Sequence, residues 1–242
     1  MEDALRRQQT ERLVDHLERM GPGRVWRPVV DRDGTVLAEG GGPLPDNLEE
    51  YISGVDFAGK SVVDLGSNLG FYSFLAARRG ARRVLGLDID ADAVLGARML
   101  AALHGMGGVD FEVCDFLKTP PSIKADMVLA IDFIGRAVVA KGRLDQVLAT
   151  VARLARREIV LTMRAVYPLE GLPPLEPGLR ERYAKHISDG KFHAARYAAH
   201  ALGHAWKGRT IHEGRVDGYV LKSVLVFSSN VAETWEEQGG SS

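Results

Sequence analysis

The chain has 242 residues, 45% of them hydrophobic, which is enough to bury one sizeable core without requiring a second domain. Its 31 basic and 32 acidic residues leave a formal charge of −1, so no global field drives it toward a nucleic-acid backbone or an anionic membrane. Cys114 is the only cysteine and no apolar run approaches a membrane span, so an internal disulfide is excluded and a cytoplasmic protein without membrane insertion is expected.

Leu13, Leu17 and Met20 recur at helical spacing among charged residues, which predicts an amphipathic helix over Asp3–Met20, stopped by Gly21-Pro22-Gly23. Val25–Val30 and Thr35–Ala38 flank Asp31-Arg32-Asp33-Gly34, where Asp33-Gly34 suits the positive φ angles of a tight hairpin turn. Gly40-Gly41-Gly42-Pro43 reads as a mobile connector, so residues 1–59 form a helix and hairpin extension. From Lys60 apolar strands alternate with helices, the pattern of a parallel sheet covered on both faces, and the main domain is read as 60–230. Strands are expected near Ser61–Leu65, Arg83–Asp88, Asp110–Val113, Met127–Ile131 and Glu158–Met163, with helices near Phe71–Arg79, Ala91–His104 and Arg143–Ala155. Pro168, Pro173, Pro174 and Pro177 break this alternation ahead of a helical stretch from about Leu179 to Trp206, so 165–207 reads as a helical insert or lid after strand five. Arg209–Arg215 and Tyr219–Phe227 around Val216-Asp217-Gly218 predict a closing antiparallel hairpin, and residues 231–242 read as a disordered tail.

The segment from Val62 to Ser73, VVDLGSNLGFYS, runs from an apolar strand through a glycine-containing turn into a helix, the form of a nucleotide-binding corner. Gly66 permits the sharp turn and Gly70 close approach of backbone to ligand. A dinucleotide fingerprint would need glycine at 68 and 71, where Asn68 and Phe71 stand, and no Gly-Lys-Ser/Thr follows Gly66, so NAD and phosphate-loop chemistry are both disfavoured. Asp88 ends the second strand eighteen positions after Gly70, where a carboxylate can accept hydrogen bonds from two ribose hydroxyls. A helix cap is the other use of an acid here, and Asp90, just before the alanine-rich helix, suits it better.

Together the D-x-G-x-N-x-G turn and the acids at strand ends resemble the class I S-adenosylmethionine-dependent methyltransferases, over roughly Lys60 to Met163. That resemblance implies an α/β fold, a doubly wound and mostly parallel seven-stranded sheet with a C-terminal antiparallel hairpin, and S-adenosyl-L-methionine as cofactor. It implies that Asp64 lies near the cofactor's amino-acid part, that the turn from Gly66 through Ser67 and Asn68 to Gly70 wraps methionine and ribose, and that Asp88 and Ile89 meet the nucleoside. Asp115 would accept from the adenine amine, flanked by Cys114 and Phe116, although a turn-forming aspartate is the competing reading. Asn68 departs from the commonest residue of the family's motif.

Methyl transfer from a sulfonium requires alignment and exclusion of water rather than a metal, and an alcohol or ammonium acceptor also needs a base. Asp132, beyond the fourth strand, is the candidate base or acceptor-orienting group, or a further cofactor contact, with a plain turn residue as the alternative. It is not followed by the Pro-Pro of relatives that methylate nucleobase amines. Five of the seven histidines fall between 186 and 212, and His193, His200 and His204 are spaced to share one helix face. His186 and His193 are candidate proton acceptors of a lid, against the alternative of solvated histidines on an ordinary helix; no ligand set for a metal is completed. The expected function is methylation of an oxygen or nitrogen of a small or medium metabolite. The alternatives are an RNA-modifying enzyme using Arg24, Trp26, Arg27 and Arg32 of the extension, and a non-catalytic partner subunit.

Overall fold

Apolar runs bounded by glycine and charge set the elements of the fold, which a computed structural model describes over residues 2–21, 23–41, 52–216 and 219–230. Two compact units emerge, residues 1–44 with 56–121 and residues 45–55 with 122–242. Residues 1–44 of the extension expected over 1–59 group with residues 56–121, where α1 packs on α3 and His104 bonds the Val30 carbonyl.

The first unit contains α1 (Glu2–Met20), β1 (Val29–Val30), β2 (Val36–Ala38), β3 (Ser61–Leu65), α2 (Phe71–Arg78), β4 (Arg83–Asp88), α3 (Ala91–His104) and β5 (Val109–Val113). Strands β3, β4 and β5 are parallel, with Val63 opposite Leu85 and Leu85 opposite Asp110. Val62, Leu65, Val84 and Leu87 are buried, as a sheet covered on both faces demands. Helix α3 starts where the Asp90 carboxylate accepts the N–H groups of Asp92 and Ala93, and ends at Gly105 with φ 66°. Helix α1 buries Leu13, Leu17 and Met20 and packs on α3. Gly96 allows that approach, since a Cβ there would stand 2.6 Å from Leu69 and 3.2 Å from His16. A ring nitrogen of His16 bonds the Asp92 carbonyl at 2.8 Å. The β1–β2 turn differs from expectation: only Gly34 takes a positive φ, 86°, and the Asp31 carboxylate receives the N–H groups of Asp33 and Thr35. An aspartate-capped loop thus replaces the tight two-residue turn.

The second unit contains β6 (Ala125–Ala130), α4 (Arg136–Ala140), α5 (Leu144–Leu154), β7 (Ala155–Met163), β8 (Tyr167–Pro168), α6 (Leu179–Tyr183), β9 (Ile187–Ser188), β10 (Lys191–Phe192), α7 (Ala194–Leu202), β11 (Trp206–Val216) and β12 (Tyr219–Ser229). β6 and β7 are parallel, while β12 pairs antiparallel with both β7 and β11. In the seven-stranded sheet the order is β11-β12-β7-β6-β3-β4-β5, mostly parallel with the expected antiparallel closure.

The continuous helix expected over 179–206 is instead two short helices divided by a small antiparallel sheet of order β8-β10-β9. Asp189 at φ 51° and Gly190 at φ 68° make the β9–β10 turn, and Asp-Gly is a strong hairpin signal that helical periodicity masked. The break lets Tyr183 stack on Phe192 with ring centroids 4.3 Å apart and Tyr197 meet both edge-on. Burying three aromatic bodies outweighs the continuity of one helix. Because α7 ends at Leu202, with Gly203 following, His204 lies outside the helix, and the single face carrying His193, His200 and His204 does not form. The Gly42-Pro43 part of the connector, the Asp217-Gly218 turn and the 231–242 tail lie outside the described residues.

Gly86 in β4 tests this packing, because a Cβ there would stand 2.4 Å from the Phe111 ring and 2.8 Å from Ser67 Oγ. Gly86→Ala is expected to destabilise by about 1–3 kcal/mol in urea unfolding, as overpacking does. Gly107→Ala, with no atom within 4 Å of the added carbon, should change stability little. Equal behaviour of the two variants would contradict the packing described.

Candidate functional site

The turn between β3 and α2 concentrates left-handed backbone: Gly66 has φ 73°, Asn68 47° and Gly70 84°. Asparagine is among the few side-chain-bearing residues that adopt this region at modest cost, which explains how Asn68 replaces a glycine. Gly70 is restricted twice, since an added Cβ would also lie 2.5 Å from Phe111. The N–H groups of Gly66 and Ser67 both donate to the Leu87 carbonyl, at 2.8 and 3.1 Å, tying the turn to the end of β4. Asp64 is 2% exposed and accepts the Ser73 hydroxyl at 2.6 Å, so it braces β3 against α2 beneath the turn.

Asp88 is half-buried and central to the turn's rim. One carboxylate oxygen accepts the Asn68 N–H at 2.8 Å and the other the Asp90 N–H at 2.9 Å. Each oxygen retains a lone pair, the capacity needed for two vicinal hydroxyls. Ile89 beside it is 64% exposed, and Val113 at the end of the adjacent strand is 53% exposed. Apolar side chains left uncovered at two neighbouring strand ends suit the face of a heteroaromatic ring, so the residues present fit an adenosine moiety.

Asp115 accepts the Lys118 N–H at 3.2 Å and pairs with its ammonium at 3.1 Å, an interaction that holds its carboxyl below the ordinary range. The turn-forming use of Asp115 is therefore realised, alongside any contact with a base. Cys114 Sγ reaches the Thr119 carbonyl at 3.7 Å, and burial raises its thiol pKa. Phe116 is 4% exposed, so its ring belongs to the core, and Val113 is the exposed apolar residue that sequence reading passed over. It was hidden because a strand residue facing solvent has no signature distinguishing it from one facing a ligand.

In the second unit, Asp132 follows β6 with φ 59°, in the left-handed region that few side-chain-bearing residues besides asparagine and aspartate adopt. Its N–H donates to Thr162 Oγ1 at 2.7 Å. Its side chain is 7% exposed and forms an ion pair with the Lys222 ammonium. Ser223, fully buried next to Lys222, has a hydroxyl with no hydrogen-bond partner. Lys222 and Thr162 were not singled out from sequence; the one available signal is a lysine interrupting the apolar run of β12.

The two candidate histidines of the insert separate in character. His193 Nε2 bonds Ser188 Oγ at 2.8 Å across the β9–β10 hairpin. His186 meets Tyr197 edge-on and His200 at a tilt, with centroids 5.2 and 5.1 Å away, and its Nδ1 is buried without a partner. Burial, then the charges of His200, Lys185 and His193, pushes the His186 pKa down, so the ring is neutral near pH 7. The insert braces the chain beyond β6: the Tyr167 hydroxyl donates to the Ile134 carbonyl at 3.4 Å and the Tyr183 hydroxyl to that of Val139 at 3.2 Å. Burial and the nearby Asp145 charge push Tyr183 up to about 12, keeping that donor protonated.

A family profile described as a methyltransferase domain matches residues 56–234. Among curated proteins, the ribosomal protein L11 methyltransferase of Aeromonas salmonicida is 32% identical over 113 residues, covering 43% of this chain and 38% of the relative. That of Mannheimia succiniciproducens is 32% identical over 119 residues with the same coverage. The chain thus spans 38% of the length of these relatives. Among solved structures, the N-terminal domain of EvdMO1 with S-adenosylhomocysteine bound superposes with a TM-score of 0.62 at 19% identity, covering 93% of this chain and 97% of that one. Magnesium protoporphyrin IX methyltransferase from Synechocystis PCC 6803, with bound S-adenosylhomocysteine, gives 0.52 at 17% identity, covering 74% and 78%.

Asp88→Asn removes the charge at the rim while preserving its size. Calorimetric titration with S-adenosylhomocysteine is expected to show a loss of about 1–3 kcal/mol, the scale of charged hydrogen bonds. Unchanged affinity would remove Asp88 from the site.

Proposed function

Since the chain belongs to the methyltransferase-domain family, we propose that it is an enzyme that uses S-adenosylmethionine to methylate an oxygen or nitrogen of a small or medium metabolite. The observation that carries this reading is Asp132: a buried carboxylate in left-handed backbone, charge-compensated by Lys222, at the end of β6. A desolvated acid is a poor device for stability and a good one for handling a proton.

Bound S-adenosylmethionine supplies an electrophilic methyl on a good leaving group. The Gly66–Gly70 turn, braced from beneath by Asp64, and Asp88 would hold the cofactor's amino-acid and ribose parts, and Ile89 with Val113 would cover its base. Asp115, with the backbone at Phe116, completes the adenine edge. Asp132 would accept a hydrogen bond from the acceptor's O–H or N–H, orient its lone pair, and hold the proton the acceptor gives up when the methyl passes to it from the sulfonium, which would leave as neutral S-adenosylhomocysteine. Lys222 fixes the carboxylate and Thr162 its backbone. His186, neutral and with Nδ1 free, is the insert's proton acceptor, while His193 supports the hairpin through Ser188.

Two features favour a small acceptor over RNA. Arg24 is engaged with Asp90 and Asp92, and Arg27 is 5% exposed, so neither is displayed for phosphates. The insert's tyrosines brace residues 134–139, which suits a walled acceptor site. The EvdMO1 domain, crystallised with S-adenosylhomocysteine and D-fucose, has this fold over nearly the whole chain and supports a small-molecule acceptor.

Radiolabelled cofactor offered to fractionated small metabolites, ribosomal protein and RNA decides among the acceptor classes: label in the small-molecule fraction is expected, and label confined to protein or RNA overturns the reading. With an acceptor in hand, Asp132→Asn should lower kcat by about 10²–10⁴-fold, the range for losing a general base. Its affinity for S-adenosylhomocysteine should stay close to wild type; an undiminished kcat would rule Asp132 out as the base.

A further inference from the structure

The N-terminal segment is fastened around Asp88 at two places, both inside the first unit. Asn68 donates from Nδ2 to the Arg24 carbonyl at 2.9 Å and accepts the Trp26 N–H at Oδ1 at 3.2 Å. A single side-chain amide thus pairs with two backbone groups of residues 24–26, as an adjacent strand would. The Arg24 guanidinium donates from Nε to Asp90 at 2.9 Å, again from Nη2 to the same carboxylate, and to Asp92 at 3.0 Å. Both fastening residues also hold Asp88, which accepts the N–H of Asn68 and the N–H of Asp90.

The segment is anchored on either side of this point. Upstream, α1 is docked on α3 through His16 and the Asp92 carbonyl. Downstream, the Val25 carbonyl accepts the Gly41 N–H at 2.7 Å, and Arg27 is buried. Trp26 between these anchors remains 38% exposed, beside the turn that carries Asn68. The clamp itself is half in water, with Arg24 42% and Asp90 27% exposed, so it contributes little to folding and is screened by salt. Such a pair serves to position a segment and can be released easily.

We propose that residues Arg24–Trp26 form one wall of the cofactor site and govern cofactor release, with Asn68 and Arg24 as positioning residues and Trp26 as the side chain that covers the bound ligand. This rests on the assignment of S-adenosylmethionine to the turn and Asp88. It also gives a reason for asparagine in place of glycine at position 68: glycine would satisfy the φ of 47° but would leave the segment unfastened.

The test uses the full chain with S-adenosylhomocysteine as probe, following tryptophan fluorescence in stopped flow. Asn68→Gly keeps the turn's backbone freedom, and Arg24→Met keeps the aliphatic stem. Each is expected to release the ligand about tenfold faster than wild type, with the unfolding midpoint of the ligand-free protein nearly unchanged. Raising salt to about 0.5 M should speed release from wild type and leave Arg24→Met unaffected. Trp26→Phe should lose most of the ligand-induced fluorescence change. Release rates within about twofold of wild type in both clamp variants, or a full fluorescence response without Trp26, would overturn the proposal while leaving the cofactor assignment intact. Failure of wild type to bind S-adenosylhomocysteine would overturn both.

Discussion

The first unit of the molecule depends on a left-handed turn that is hydrogen-bonded to the strand beside it. Gly66 and Ser67 give their N–H groups to one carbonyl, that of Leu87, and Asn68 gives its own to the carboxylate of the next residue, Asp88. Those three bonds are possible only because the backbone runs through positive φ at 66, 68 and 70, and the close passage of Phe111 under Gly70 and Gly86 leaves no room for side chains. Turn, strand end and helix start are thereby one rigid object. The proposed role of this turn in holding a methyl donor needs such rigidity, because a displaced donor loses the in-line geometry on which displacement at carbon depends.

The second unit addresses a different electrostatic problem. Burying a carboxylate that is 7% exposed is costly unless a cation accompanies it, and Lys222 supplies that cation from a strand distant in sequence. Thr162 takes the N–H that the left-handed backbone of Asp132 turns inward. The arrangement holds the acid in one orientation beside its cation. The aromatic insert then braces the chain that follows β6 from tyrosine hydroxyls whose high pKa keeps them donors.

Much of the fold was legible in the sequence because it follows from local chemistry. Alternating apolar runs give parallel strands, Asp90 before an alanine-rich run gives a capped helix, and D-x-G-x-N-x-G between strand and helix gives the nucleotide corner. The insert was misjudged for an identifiable reason. Histidines at helical spacing suggested one helix, yet Asp189-Gly190 supports a hairpin turn, and stacking Tyr183 on Phe192 needs the chain to reverse there. Side-chain burial between residues nine positions apart outweighed a periodicity carried by polar residues.

The sequence by itself determined the fold class, the left-handed turn between β3 and α2 and the acid at the end of β4, because each is specified within a few consecutive residues by backbone conformation and strand length. Only the tertiary structure decided what partners those residues take. Asp64 turned inward to Ser73, Asp115 turned to Lys118, Asn68 reached back to Arg24 and Trp26, and Asp132 met Lys222 across 90 residues. An isolated acid or amide in a sequence carries the same donors and acceptors wherever it points. Which of them are satisfied, and which stay free for a ligand, is set by packing between elements far apart along the chain.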